Sequence, residues 1–180
     1  KSALKRQPQP QGLYPNHVWG MDFVSDALFD GRRLRLLTVI DLYTRECLGI
    51  CVGQNLRSSE VAEMLDTIAL RRPLPQLLKT DNGSEFAGKM LDKWVYERDI
   101  RIDFSRPGTP TDNATVESFN GRLRQECLNE NWFMSKEDAR CKIEVWRIHY
   151  NQSRPNSALG WMTPCEFAEK SAGCQNKQPT

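Results

Sequence analysis

The sequence predicts an α/β fold: a five-stranded mixed sheet flanked by helices. Two observations carry that prediction. Three apolar segments, 19–28, 34–41 and 47–52, follow one another with only short turns between them, which is the pattern of an antiparallel meander. Beyond them, strand-like and helix-like segments alternate, as they do where strands run parallel and helices cover the sheet faces.

Each element has its own signal. Residues 1–17 hold Pro8, Pro10 and Pro15 interleaved with Gln7, Gln9 and Gln11 and read as a linker or extended arm. Asp30-Gly31 marks the first turn. Ser58 or Ser59 caps a helix reaching about residue 72. Its apolar face is Val61, Met64, Leu65 and Ile68, at i, i+3, i+4 and i+7, and Pro73 and Pro75 stop it. Residues 77–80 form a short buried strand parallel to the first. A helix over about 87–98 and a strand over about 101–104 follow.

Residues 105–112 read as a loop, with Gly108 free to let it open and close over a substrate. Asp112 or Asn113 caps the next helix, whose apolar stripe is Val116, Phe119, Leu123 and Cys127. A further helix over about 136–151 turns Ala139, Ile143, Trp146 and Tyr150 inward. Tyr150-Asn151, Arg154-Pro155 and Trp161 are expected to pack the final segment onto the core, and residues after 171 read as a polar tail. The expected organisation is an arm at 1–17, one catalytic core at 18–170 and a tail at 171–180.

Composition narrows the function class. A chain of 180 residues suits one domain with a sizeable core. No uncharged run approaches the roughly 18 residues that a membrane span needs. The chain starts at Lys1 with no signal-peptide pattern, which reads as a piece of a longer intracellular protein. Six cysteines lie scattered, with no Cys-x-x-Cys pair. That is not the spacing of a structural zinc site and suits reduced thiols. The net charge is only +2, yet Arg101, Arg106, Arg122 and Arg124 gather around Glu117. A basic rim about an acidic centre suits a phosphate polymer.

The acidic centre is predicted from Asp22, Asp81 and Glu117. Asp22 lies in an apolar run, Asp81 follows a short strand, and Glu117 lies in the first turns of a helix, with 35 residues between Asp81 and Glu117. Carboxylates at strand ends and on a facing helix can hold two divalent metals and drive phosphodiester chemistry. Magnesium takes hard oxygen ligands and only one or two carboxylates per ion. Asp22, on a central strand, suits the bridging role; Asp81 completes one ion and Glu117 the other. Asp41 ends a buried strand and is the alternative ligand, while Asp112 is already explained as a cap. Asn120 and Arg124 lie three and seven residues after Glu117, on its side of the helix. Arg124 suits a DNA phosphate; Asn120 and Asn113 suit DNA or the helix start. Each acid alone is ordinary, since strand-end aspartates usually form turns. The constellation carries the prediction.

Together these segments resemble the retroviral integrase catalytic core, and more closely the DDE-type insertion-sequence transposases whose second reading frame encodes such a core. Thr80-Asp81-Asn82-Gly83-Ser84-Glu85-Phe86 is similar to the family's second-aspartate motif. Arg106-Pro107-Gly108 through Asp112-Asn113-Ala114, then Glu117-Ser118-Phe119-Asn120-Gly121, is similar to its glutamate motif. Tyr150 to Pro155 with Ala158-Leu159-Gly160 and Thr163-Pro164 resembles its terminal signature, with Asn156 where histidine is common. The resemblance implies a ribonuclease H-like fold whose first three strands are antiparallel. It implies a polynucleotidyl transferase that uses Mg²⁺ or Mn²⁺, two ions per site, to cleave element ends and join DNA 3′ ends to a target. The partners implied are DNA and further copies of the chain, as a homodimer or larger multimer, acting in the cytoplasm at the nucleoid. End recognition is expected from an upstream helix-turn-helix region outside this chain. Two rivals remain at this point: a nuclease for the RNA strand of a hybrid, and an inactive core used for binding.

Overall fold

The computed structural model describes residues 12–81, 88–104 and 114–175. The expectations for Gly108, Asp112 and Asn113 lie outside those residues. Five strands form one sheet in the order β3-β2-β1-β4-β5: β1 (Val18–Ala27), β2 (Arg33–Asp41), β3 (Cys47–Gly53), β4 (Leu77–Thr80) and β5 (Arg101–Phe104). The β1–β2 and β2–β3 pairs are antiparallel, and β4 runs parallel to both β1 and β5. This is the mixed sheet the sequence predicts.

The helices are α1 (Ser58–Ala69), α2 (Lys89–Glu97), α3 (Ala114–Leu123), α4 (Lys136–Gln152) and α5 (Pro164–Gln175). They cover the sheet on both faces because the strands alternate apolar residues to both sides. On one face Trp19, Met21, Leu37, Val39 and Leu78 pack with Val61 and Leu65 of α1 and Leu91 and Trp94 of α2. On the other, Val18, Val24, Leu36 and Ile40 pack with Val116, Phe119 and Leu123 of α3 and Ile143, Trp146 and Tyr150 of α4. The predicted helix stripes are the ones buried, Met64 alone of them remaining half-buried.

Several boundaries differ from expectation. The α1 cap is Arg57, whose amide donates to Glu60 Oε2 at 3.2 Å; Ser58 is already helical. Residues 12–17, expected in the arm, lie on the core: Asn16 donates its amide to Asp41 Oδ2 at 2.8 Å. Helix α5 runs through Gln175, so the polar tail starts helical. Trp161 is exposed rather than packed, because Gly160 and Trp161 both adopt left-handed backbone (φ 64° and 68°) and turn the ring outward. Tyr150 and Asn151 are buried as expected.

Candidate active site

Strand register brings the first two acids together. In the parallel β1–β4 pair, Val18, Trp19 and Gly20 lie level with Leu77, Leu78 and Lys79. Two residues further on, Asp22 falls level with Asp81. Asp22 shares the sheet face of Val18 and Val24, which is the α3 face. Gly20, between them, lets α3 approach: a Cβ there would meet Val116 Cγ2 at 2.5 Å. Val116 precedes Glu117, so this contact sets how near the glutamate helix lies to β1.

The Asp22 carboxyl is held on two sides. Oδ1 accepts the Phe23 amide at 2.8 Å, and Oδ2 accepts Asn120 Nδ2 at 3.0 Å. The fully buried Thr38 hydroxyl donates to Asn120 Oδ1 at 2.9 Å. That bond fixes the amide's orientation, so its NH₂ faces Asp22. Thr38 lies directly opposite Asp22 in the β1–β2 register. The sequence offered no signal for Thr38, since its role arises only from strand pairing and helix docking.

Burial, together with the charge of the adjacent Asp81 carboxyl, pushes Asp22 up to about 6, against the lowering pull of its Phe23 and Asn120 hydrogen bonds. Two carboxylates thus share a site, and neither has a lysine or arginine partner among the described residues. A divalent cation would relieve that repulsion, and an all-oxygen donor set suits magnesium or manganese.

Glu117 lies one turn before Asn120 on α3, exposed to solvent. The structure brings Asp22 and Asp81 together; among the described residues the three acids do not close into one cation-binding group. Arg124 begins a π turn after α3 (Arg124–Leu128) and donates to Ser25 O at 2.7 Å, which anchors it beside β1. Arg122 lies on the other flank of α3, where it lines a pocket with Tyr150 and its charge acts on the Tyr150 hydroxyl. Asp41, the alternative ligand, is occupied: it is buried and accepts the amides of Asn16, Tyr43 and Thr44.

A mixed sheet in this order, with helices on both faces and Asp22 of β1 beside Asp81 just past β4, is the arrangement of a ribonuclease H-like core. An integrase core domain model matches residues 13–110, and a second model of the same description matches 98–164. The chain belongs to the integrase core domain family. It is 46% identical to the 31.7 kDa protein of insertion element IS407 from Burkholderia multivorans, over 93% of this chain and 65% of that protein. It is 44% identical to the 39.2 kDa protein of IS476 from Xanthomonas euvesicatoria, over 91% of this chain and 47% of that one. The chain therefore spans less than two thirds of either relative. Among solved structures, the HTLV-2 integrase catalytic core in complex with magnesium superposes with a TM-score of 0.68, covering 87% of this chain and 99% of that one at 20% identity. That likeness concerns the fold. No helix among the described residues is long and apolar enough to cross a membrane.

Proposed function

We propose that the chain is the catalytic core of a DDE-type transposase, a polynucleotidyl transferase that cleaves the ends of an insertion element and joins the DNA 3′ ends to a target. The observation that carries this reading is the Asp22–Asp81 pair: Asp22 is partly desolvated and faces the charge of Asp81, neither has a lysine or arginine partner among the described residues, and Asp22 is hydrogen-bonded to the helix that bears Glu117. Kinship with proteins of two insertion elements supports the same reading.

Asp22, Asp81 and Glu117 would hold two Mg²⁺ or Mn²⁺ ions. When bound, the ions would activate an oxygen nucleophile and stabilise the leaving oxygen of an in-line displacement. The chain's own residues prepare that chemistry. Asn120, oriented by Thr38, holds one Asp22 oxygen in place, and the Phe23 amide holds the other. Gly20 keeps α3 close enough for Glu117 to swing toward the pair. Arg124, Arg122, Asn113 and Asn120 are the proposed DNA contacts; of these, Asn120 is already engaged with Asp22, so its role is to position that carboxylate. The whole protein would act as a multimer on element and target DNA, with end recognition supplied from outside these residues.

The test is a strand-transfer assay in Mg²⁺ or Mn²⁺ on a protein that includes this chain, with its element's terminal DNA. Asp22→Asn, Asp81→Asn and Glu117→Gln should each lower the rate by at least about 100-fold while the protein stays folded. A Glu117→Gln variant as fast as the wild type would remove Glu117 from the site.

A further inference from the structure

Helix α3 has two polar flanks, each roughly 100° from its buried Val116–Phe119–Leu123 stripe. Glu117, Asn120 and Arg124 occupy one. Thr115, Ser118 and Arg122 occupy the other, and that flank borders a separate pocket of about 50 Å³ shared with Arg45, Tyr150 and Asn156. The acidic site uses none of this surface.

The pocket is cationic and built. Arg45 Nη1 donates to Thr115 Oγ1 at 2.6 Å, and the Arg122 guanidinium lines the same pocket within electrostatic reach of the Tyr150 hydroxyl. Tyr150 and Asn156 are both more than nine-tenths buried, and Asn156 Nδ2 reaches the Tyr150 hydroxyl at 3.4 Å. Arg45 sits in left-handed backbone (φ 65°) at the β2–β3 turn. Asp41 fixes that turn, accepting the amides of Tyr43 and Thr44 on its side chain and that of Arg45 on its carbonyl. An arginine in that conformation stays there only because its surroundings over-determine it.

Two half-buried guanidinium groups therefore act on one another, and neither has a carboxylate partner among the described residues. Burial holds Arg45 below its ordinary value, offset in part by Tyr150 and reinforced by Arg122. Like charges taken partly out of water call for a counter-anion, and arginine forks match the oxygens of phosphate. The volume exceeds the roughly 10–15 Å³ one water needs and is too small for a nucleoside.

We propose that Arg45 and Arg122, with the Ser118 hydroxyl, form a phosphate-binding subsite on the α3 flank opposite Glu117. The phosphate is taken from a DNA backbone crossing α3 or from free inorganic phosphate. The DNA source rests on the function proposed above; the anion site itself does not.

The test follows the guanidinium Nε–H NMR signals of the 180-residue chain during titration with inorganic phosphate. In parallel, duplex DNA affinity is measured across a salt series. The Arg45 and Arg122 signals should move with phosphate, and Arg122→Gln should abolish the response at Arg45. If DNA supplies the anion, Arg45→Gln and Arg122→Gln should each flatten the slope of log K against log salt by about 0.9. Arg98→Gln, which removes a partner of Asp66 far from this pocket, should not. A phosphate response with unchanged DNA slopes supports the subsite and assigns it to the free anion. Silent guanidinium signals together with unchanged slopes overturn the proposal. Arg45→Lys keeps the charge should the glutamine variant fail to fold, and it should retain the salt slope. Loss of strand transfer in Glu117→Gln with the phosphate response intact would show that the two sites stand or fall separately.

Discussion

Asp22 is the residue on which the acidic site turns, because it is the more enclosed of two carboxylates that meet. Its folded value of about 6 stands above the ordinary 3.8, so without a cation the folded state binds a proton more tightly than the unfolded chain. Stability of the cation-free protein should therefore rise as pH falls from above 6 toward 4, and be lost as pH rises through 6. Asp22→Asn should melt higher than the wild type at about pH 7.5, with the gap closing near pH 5; equal melting curves at both pH values would contradict this. Protons compete with a cation for the same oxygens, so Mn²⁺ affinity should fall below pH 6. Removing Asn120 as Ala takes away a hydrogen bond that favours the charged form. The Asp22 titration, followed by carboxyl ¹³C shifts, should then move upward. Asp22 and Asp81 were legible because their neighbours are distinctive. The Thr38–Asn120 clamp was not, since it joins residues 82 apart in sequence through register and docking.

At the scale of elements, the close approach of α3 to β1 depends on Gly20. Gly20→Ala should cost about 1–3 kcal/mol in urea denaturation and slow strand transfer further, because Val116 must retreat and carry Glu117 with it. A variant as stable and as active as the wild type would show that α3 is not set by this contact. Strands were legible from alternation and turn residues, and β5 falls on the predicted 101–104. Helix α5 was missed, although its start carries a signal. Thr163 precedes Pro164 and stands three before Glu166, a proline at the first helical position behind a capping threonine. Thr163 Oγ1 accepts the Glu166 amide at 3.2 Å. The π turn after α3 was not legible, because it inserts an irregularity into an unbroken apolar stripe.

Across the whole molecule, α4 ties the edge strand β3 to the core by polar contacts as well as packing. The buried Asn151 amide accepts from Cys47 N at 2.8 Å and donates to Cys47 O at 2.9 Å, while Arg147 donates to the same carbonyl at 2.9 Å. Asn151→Ala leaves the buried Cys47 amide unpaired and should cost about 1–3 kcal/mol, read as a lower denaturation midpoint. The terminal segment thus has two duties in this account: Asn151 secures the sheet edge, and Tyr150 and Asn156 back the arginine pocket. The proposed function requires Asp22 and Asp81 to form one cation site that Glu117 completes. Anomalous scattering from a crystal soaked in Mn²⁺ tests it most directly. Manganese should be bound by both Asp22 and Asp81, with the Glu117 helix beside it. Manganese that avoids this pair at saturating concentration would contradict it.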